Sequence, residues 1–184
     1  CQPIKYVYDQ ADNLIFSQDG VQREKLEWTF YLYDNFHRLT VKGICGNTNT
    51  SSVSERIVVC SLNKDDSGII PDGLENTGYS SDFELVSPII HQVNYYDDYS
   101  FLSLVGFQNR AKFPAQTVAA NGFLTGSISS LLDTSAKLYT AVYYDIKGRP
   151  IRVTQDDHLG GYKITVTNYT FTGKPSQVVN AHYH

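Results

Sequence analysis

The sequence predicts an all-β protein built from successive antiparallel hairpins that form an extended twisted sheet, with at most one or two short helical turns. Three observations predict this. Aromatic and β-branched residues dominate the apolar set, with 14 Tyr and 9 Phe in 184 residues, and such side chains suit a pleated, half-buried surface. Several short runs alternate apolar and polar residues with period two, the mark of a strand with two distinct faces. Between those runs recur turns, four of them opening on Asp and two of them with Gly three residues later. A hydrophobic content of 41% is that of a globular chain, and 184 residues make one domain of ordinary size. The net charge of −4 argues against a nucleic-acid partner. No apolar run approaches the roughly 20 residues of a membrane-spanning helix.

The clearest hairpin lies at 138–153. Leu138, Thr140, Val142 and Tyr144 alternate with Tyr139, Ala141 and Tyr143. Asp145 opens the turn, and Gly148 stands where such hairpins need a positive φ. Pro150 cannot donate to a ladder, so it belongs at an edge or beside a bulge. Taken in order, 5–9 reads as a strand, with 14–16 as its return. Asp19 followed by Gln22 has the form of an N-cap with a residue reaching back, which predicts a short helix over 20–26; a hairpin at Asp19-Gly20 is the competing reading. Residues 28–33 form an aromatic strand and 38–43 its return. Residues 46–54 are a Thr-, Ser- and Asn-rich loop. Short strands are expected at 56–62, 83–86, 89–96 and 101–106, and loops at 107–121 and 126–135. Strands at 162–171 and 175–182 complete the chain, entered through a turn at Gly160-Gly161.

Superposing the hairpins yields five copies of one pattern. Tyr8-Asp9, Tyr33-Asp34, Tyr96-Asp97, Tyr144-Asp145 and Tyr169-Thr170 each precede a turn and a return strand. The interval is 25 residues from Tyr8 to Tyr33 and again from Tyr144 to Tyr169, the kind of fixed period that marks repeat architectures. Where Gly148 and Gly173 stand, the other copies carry Asp12, His37 and Ser100. Asp and His enter the left-handed region more readily than most residues; Ser is a poorer fit, so the third copy is the weakest.

Tyr144-Asp145-Ile146-Lys147-Gly148-Arg149 resembles the repeat of the bacterial RHS/YD-repeat proteins. The likeness extends over residues 4–43 and 138–182 and, more loosely, 89–106; residues 46–85 and 107–135 carry no repeat. The resemblance implies a segment of a shell wall in a larger secreted or surface protein, with a C-terminal toxic or effector domain elsewhere in the parent. It also implies neighbouring repeats of the same polypeptide as partners, an extracellular or cell-surface location, and no membrane contact except through anchoring of the parent. The family's self-cleaving module has no counterpart, since no Asp is followed by Pro, so neither autoproteolysis nor toxicity carries over. The absence of Met and the Cys at position 1 are also read as marks of a piece of a longer chain, with a lipidated Cys1 as the alternative.

Candidates for chemistry each have a plainer reading. Asn63 to Gly68 mimics the front half of a calcium loop, but the residue where the closing acid is expected is Leu74. His182 and His184 share a strand face. Asp156-Asp157-His158 places a base beside carboxylates, though a turn explains it. Cys45 and Cys60 sit in no Cys-x-x-Cys pair, and Cys60 reads as a buried thiol. Ser17, Ser54 and Ser80 lie in no nucleophile elbow, and Gly173-Lys174 is followed by Pro175 rather than the Ser or Thr of a phosphate loop. The expectation is therefore a scaffold segment with no catalytic, cofactor-binding or metal residues. The alternative is a glycan- or protein-binding module that uses exposed aromatics at Trp28, Tyr31, Tyr33, Tyr95 and Tyr96. A segment of this kind is further expected to self-associate through its edge strands.

Overall fold

The structure, a computed structural model, describes residues 3–63, 74–131 and 134–183. It is mostly β, and ten strands form one antiparallel sheet. In chain order the strands are β1 (Lys5–Tyr8), β2 (Leu14–Gln18), β3 (Trp28–Tyr33), β4 (Leu39–Cys45), β5 (Cys60–Leu62), β6 (Tyr79–Ser81), β7 (Ile89–Asp97), β8 (Ala120–Ser130), β9 (Lys137–Tyr144), β10 (Pro150–Asp156), β11 (Tyr162–Tyr169) and β12 (Pro175–Tyr183). The sheet order is β1-β2-β3-β4-β7-β8-β9-β10-β11-β12, while β5 and β6 pair separately. The chain divides within β7 into two compact units, residues 1–93 and 94–184.

In the first unit β3 shows the alternation that its sequence predicts. Trp28, Phe30 and Leu32 are buried, and Thr29, Tyr31 and Tyr33 are half-exposed. Helix α1 (Gly20–Lys25) joins β2 to β3 and settles the choice between helix and hairpin. Asp19 Oδ1 accepts from the Gln22 backbone N–H at 2.8 Å, and Gln22 Oε1 accepts from the Asp19 N–H at 3.0 Å. This reciprocal cap satisfies donors that a helix start leaves unpaired.

The unrepeated residues that follow β4 cover the buried face of this unit. Val53, Val58, Cys60, Tyr79 and Phe83 are all buried. Phe83 meets Phe16 edge-on at 5.5 Å, and Phe16 meets Trp28 at 6.1 Å. Full burial of such side chains contributes roughly 1.5–3 kcal/mol each. The strand expected over 56–62 shortens to β5, and that expected at 83–86 does not form. Instead Phe83 serves as a core anchor, and β5 finds its partner in β6.

The second unit is a meander, β8 through β12. Residues 101–106 form no strand: Ser100–Ser103 is a 3-10 turn that drops Phe101 into the core. Phe101 stacks on Tyr95 at 4.7 Å and lies over Gly126, where a Cβ would fall 2.4 Å from the ring. Residues 107–119 lack strands, as expected, but are anchored by fully buried Phe107 and Phe113. Ser127, Ser129 and Ser130, expected in a loop, belong to β8 and pair with β9. Local preference is weak there, and the cross-strand ladder decides the conformation.

Arg152 donates to the carbonyls of Ala111 and Lys112 at 3.4 and 3.2 Å. Asp156 binds the Lys112 ammonium and accepts from the Tyr139 N–H at 2.9 Å. These contacts clamp the 109–113 loop to β10.

Candidate functional site

The structure builds one turn five times. The Asp9 N–H donates to the Asn13 carbonyl at 3.0 Å, and the Asp12 N–H to the Asp9 carbonyl at 3.1 Å. Asp9 Oδ1 accepts from the N–H groups of Ala11 and Asn13, both at 2.9 Å. The turns at Asp34 and Asp145 repeat all four bonds, the carboxylates accepting from Phe36 and Arg38 and from Lys147 and Arg149. At Thr170 the hydroxyl replaces the carboxylate and accepts from the Lys174 N–H at 3.2 Å. The fourth residue of each turn is left-handed: φ is 58° at Asp12, 59° at His37, 73° at Gly148 and 86° at Gly173. This is the conformation that Gly adopts without steric cost.

The fifth turn, at Asp157, lacks a preceding Tyr and so escapes the Tyr-Asp pattern. Its Asp and its Gly160, with φ 94°, were the available signal. The Asp157 N–H donates to the Gly161 carbonyl, and the Gly160 N–H to the Asp157 carbonyl, both at 3.1 Å.

A bulge follows every Tyr-preceded turn. Val7 pairs with Phe16 but Tyr8 with Leu14, leaving Ile15 as the extra residue. By the same shift Thr40, Ile151 and Ser176 are the extra residues of their return strands. A type I turn, a left-handed residue and a bulge make one unit. Pro150 sits beside such a bulge, and the β10–β11 ladder begins only at Arg152, so its missing donor is tolerated.

The Tyr96-Asp97 copy does not form this turn. Asp97 itself is left-handed, with φ 74°, and its carboxylate accepts from the Gly122 N–H at 2.7 Å at the start of β8. Ser100 enters the 3-10 turn, in keeping with its poor fit to a left-handed position.

The turns carry charge. Asp34 pairs with Arg38 at 2.7 Å and Asp145 with Arg149 at 2.6 Å. The hydrogen bonds from Arg149 hold the Asp145 carboxyl below its usual range. For Asp9, burial pushes the carboxyl up, but the Asn13 side chain and the N–H groups of Asn13, Val58 and Ala11 outweigh it and leave it low. Two of the repeat tyrosines bond through their hydroxyls to backbone. Tyr144 donates to Leu124 O and Tyr169 to Pro150 O, each at 2.9 Å.

The five aromatic candidates do not assemble into one platform. Trp28 and Tyr95 point into the core, at 8% and 0% exposure, so neither can stack on a ligand. The strand alternation that buries Trp28 leaves Tyr31 and Tyr33 half-exposed on the other face, and Tyr96 is half-exposed in the second unit. Burial raises the Tyr33 phenol, and Tyr31, Asp9 and Tyr8 raise it further.

His182 comes close to a carboxylate distant in sequence: its Nε2 lies 3.2 Å from Asp157 Oδ2, while His158 Nδ1 lies 3.3 Å from Oδ1. The Leu159 N–H, followed by these two histidines, keeps the Asp157 carboxyl low. The imidazoles contact different oxygens, and among the described residues no group of three His, Cys, Asp or Glu side chains is placed to hold a metal ion. Cys1, His184 and all of the calcium-like turn after Asn63 lie outside the described residues. Cys45 and Cys60 are free and buried, and burial pushes the Cys60 thiol up to about 12, which disfavours a reactive thiolate. No helix among the described residues is long and apolar enough to cross a membrane.

No protein-family model matches the chain, and no curated protein matches it.

Proposed function

We propose that the chain is a non-catalytic wall segment of an RHS/YD-repeat-like protein, secreted or displayed at the cell surface, whose role is architectural. The observation that carries this reading is the turn itself. Its carboxylate, left-handed residue and bulge are spent on reversing the chain, so the Tyr-Asp pairs are folding devices and their acids are not poised for chemistry. Neighbouring repeats would add at the sheet edge. Strand β12 suits such an addition: it is nine residues long, nearly all exposed and carries no Lys, Arg, Asp or Glu, so beyond Pro175 at its start no charge or Pro on it discourages a further strand.

Sedimentation velocity over a concentration series tests the edge role. Association that Val179→Lys abolishes is the expected result; a strict monomer at high concentration would overturn it. A second reading, glycan or protein binding, is favoured by Tyr31 and Tyr33, half-exposed together on one face of β3. Saturable glycan binding that disappears in Tyr31→Ala and Tyr33→Ala variants would replace the wall reading with this one.

A further inference from the structure

The hairpin turns at 145–149 and 170–174 lie side by side in the second unit. Arg149 stacks on the Tyr169 ring at 4.6 Å, and the Lys147 ammonium lies 5.6 Å from the Phe171 ring centre. The tips are unusually apolar for a surface. Ile146 is 87% and Phe171 95% exposed, and Phe123, stacked on Tyr144 at 4.9 Å, remains 43% exposed. The same tips are basic. The Lys147 and Lys174 side chains are exposed, and neither makes an ion pair among the described residues. The carboxylate of the turn itself, Asp145, is neutralised by Arg149, whereas Asp97, held by the Gly122 N–H, keeps its charge. The opposite end of β10 and β11 carries Asp156 and Asp157 with Lys163 and His158 beside them, and Asp156 is paired with Lys112. Two exposed lysines, Lys147 and Lys174, thus share this pair of tips with the exposed Ile146 and Phe171.

We propose that this pair of tips docks on an anionic lipid surface. Ile146 and Phe171 enter the headgroup–acyl boundary, and Lys147 and Lys174 face lipid phosphates. An apolar tip flanked by Lys or Arg matches an interface that is itself amphipathic and negatively charged. A second copy of the chain fits less well. The exposed apolar side chains offer on the order of 400 Å², against about 800 Å² per partner in a stable complex. They also protrude at turns, whereas self-pairing of strands would use the β12 edge.

The test is co-sedimentation of the whole chain with phosphatidylcholine vesicles and with vesicles in which part of the lipid is phosphatidylserine. Binding is expected only to the second and is expected to weaken as salt rises. A paired Lys147→Gln, Lys174→Gln variant should bind about thirtyfold more weakly, and Phe171→Ser at least about tenfold more weakly. These positions are exposed and keep the turn backbone, so an unchanged circular dichroism spectrum separates lost binding from lost folding. In a Phe171→Trp variant, indole emission should shift to the blue on anionic vesicles, while Trp28, buried in the first unit, contributes a constant background. No sedimentation with anionic vesicles at low salt would overturn the proposal. So would binding that survives both sets of substitutions, or a concentration-dependent self-association that Phe171→Ser removes.

Discussion

The Asp9 and Asp34 turns of the first unit and the Asp145 and Thr170 turns of the second have the same backbone but different surroundings. In the first unit the extra residues of the bulges, Ile15 and Thr40, are both 0% exposed. Thr40 donates to Leu32 O at 3.0 Å, and Asp9 reaches outside its turn to accept from the Val58 N–H at 3.2 Å. In the second unit the corresponding Ile151 is half-exposed and Ser176 exposed, and β12 is open on both faces. The turn is therefore a local device that works with or without a roof. What differs is the unrepeated chain above it, which covers both hairpins of the first unit but in the second covers β9 and β10 and leaves β12 open.

The roof supplies the largest expected effect. Phe16→Ala removes a side chain shared by the sheet, Trp28 and Phe83 and should cost about 3–5 kcal/mol. Val179→Ala on β12 should stay within about 0.5 kcal/mol. Urea denaturation followed by Trp28 fluorescence and by circular dichroism would separate them; equal losses would erase the distinction between roofed and open hairpins.

The carboxylates come next. Asp9→Ala strands the buried Val58 N–H and the part-buried N–H groups of Ala11 and Asn13 and should cost about 1–3 kcal/mol, whereas Asp145→Ala, whose donors are more exposed, should cost less. The pH dependence has a definite sign. The folded Asp9 carboxyl lies below its ordinary value of 3.8, so its contribution is present above that value. It is lost as pH falls through the lower folded value. Acid titration of stability should therefore show a shallower loss in this range for Asp9→Asn than for the unaltered chain; identical slopes would mean that Asp9 is not held low.

The smallest effect lies in the left-handed residues. Gly148→Ala and Gly173→Ala should each cost about 1–2 kcal/mol from the backbone alone. Gly148 should be the worse, because its new Cβ would fall 2.9 Å from the Phe123 ring while that of Gly173 meets nothing closer than 3.9 Å. Asp12→Gly, relieving a non-Gly residue at φ 58°, should remain within about 0.5 kcal/mol of the parent chain. Thermal melts of the three variants, ranked against one another, check the series.

Much of this architecture was legible in the residues. The hairpins, the short helix with its Asp19–Gln22 cap, the left-handed Gly148 and Gly173, and the Pro150 bulge follow from chemistry acting within about six residues. Position in sequence also explains the failures. Phe101 and Phe83 read as strand residues because their β-propensity is high, but each spends its ring on a distant core. Gly126 and the serines beside it read as loop, because nothing local shows that Phe101 needs a bare backbone to lie on. The platform of Trp28, Tyr31, Tyr33, Tyr95 and Tyr96 failed as a set because an aromatic strand does not say which face will be covered. Likewise, the approach of His182 to Asp157 required the β11–β12 register.

By itself the sequence determined where the chain reverses, since a carboxylate, a left-handed residue and a bulge complete their bonds among immediate neighbours. Only the tertiary structure decided which residues became interior. Burial depends on the chain that arrives from elsewhere: Val58 and Phe83 over the first hairpins, Phe107 and Phe113 within the second unit, and none over β12 among the described residues.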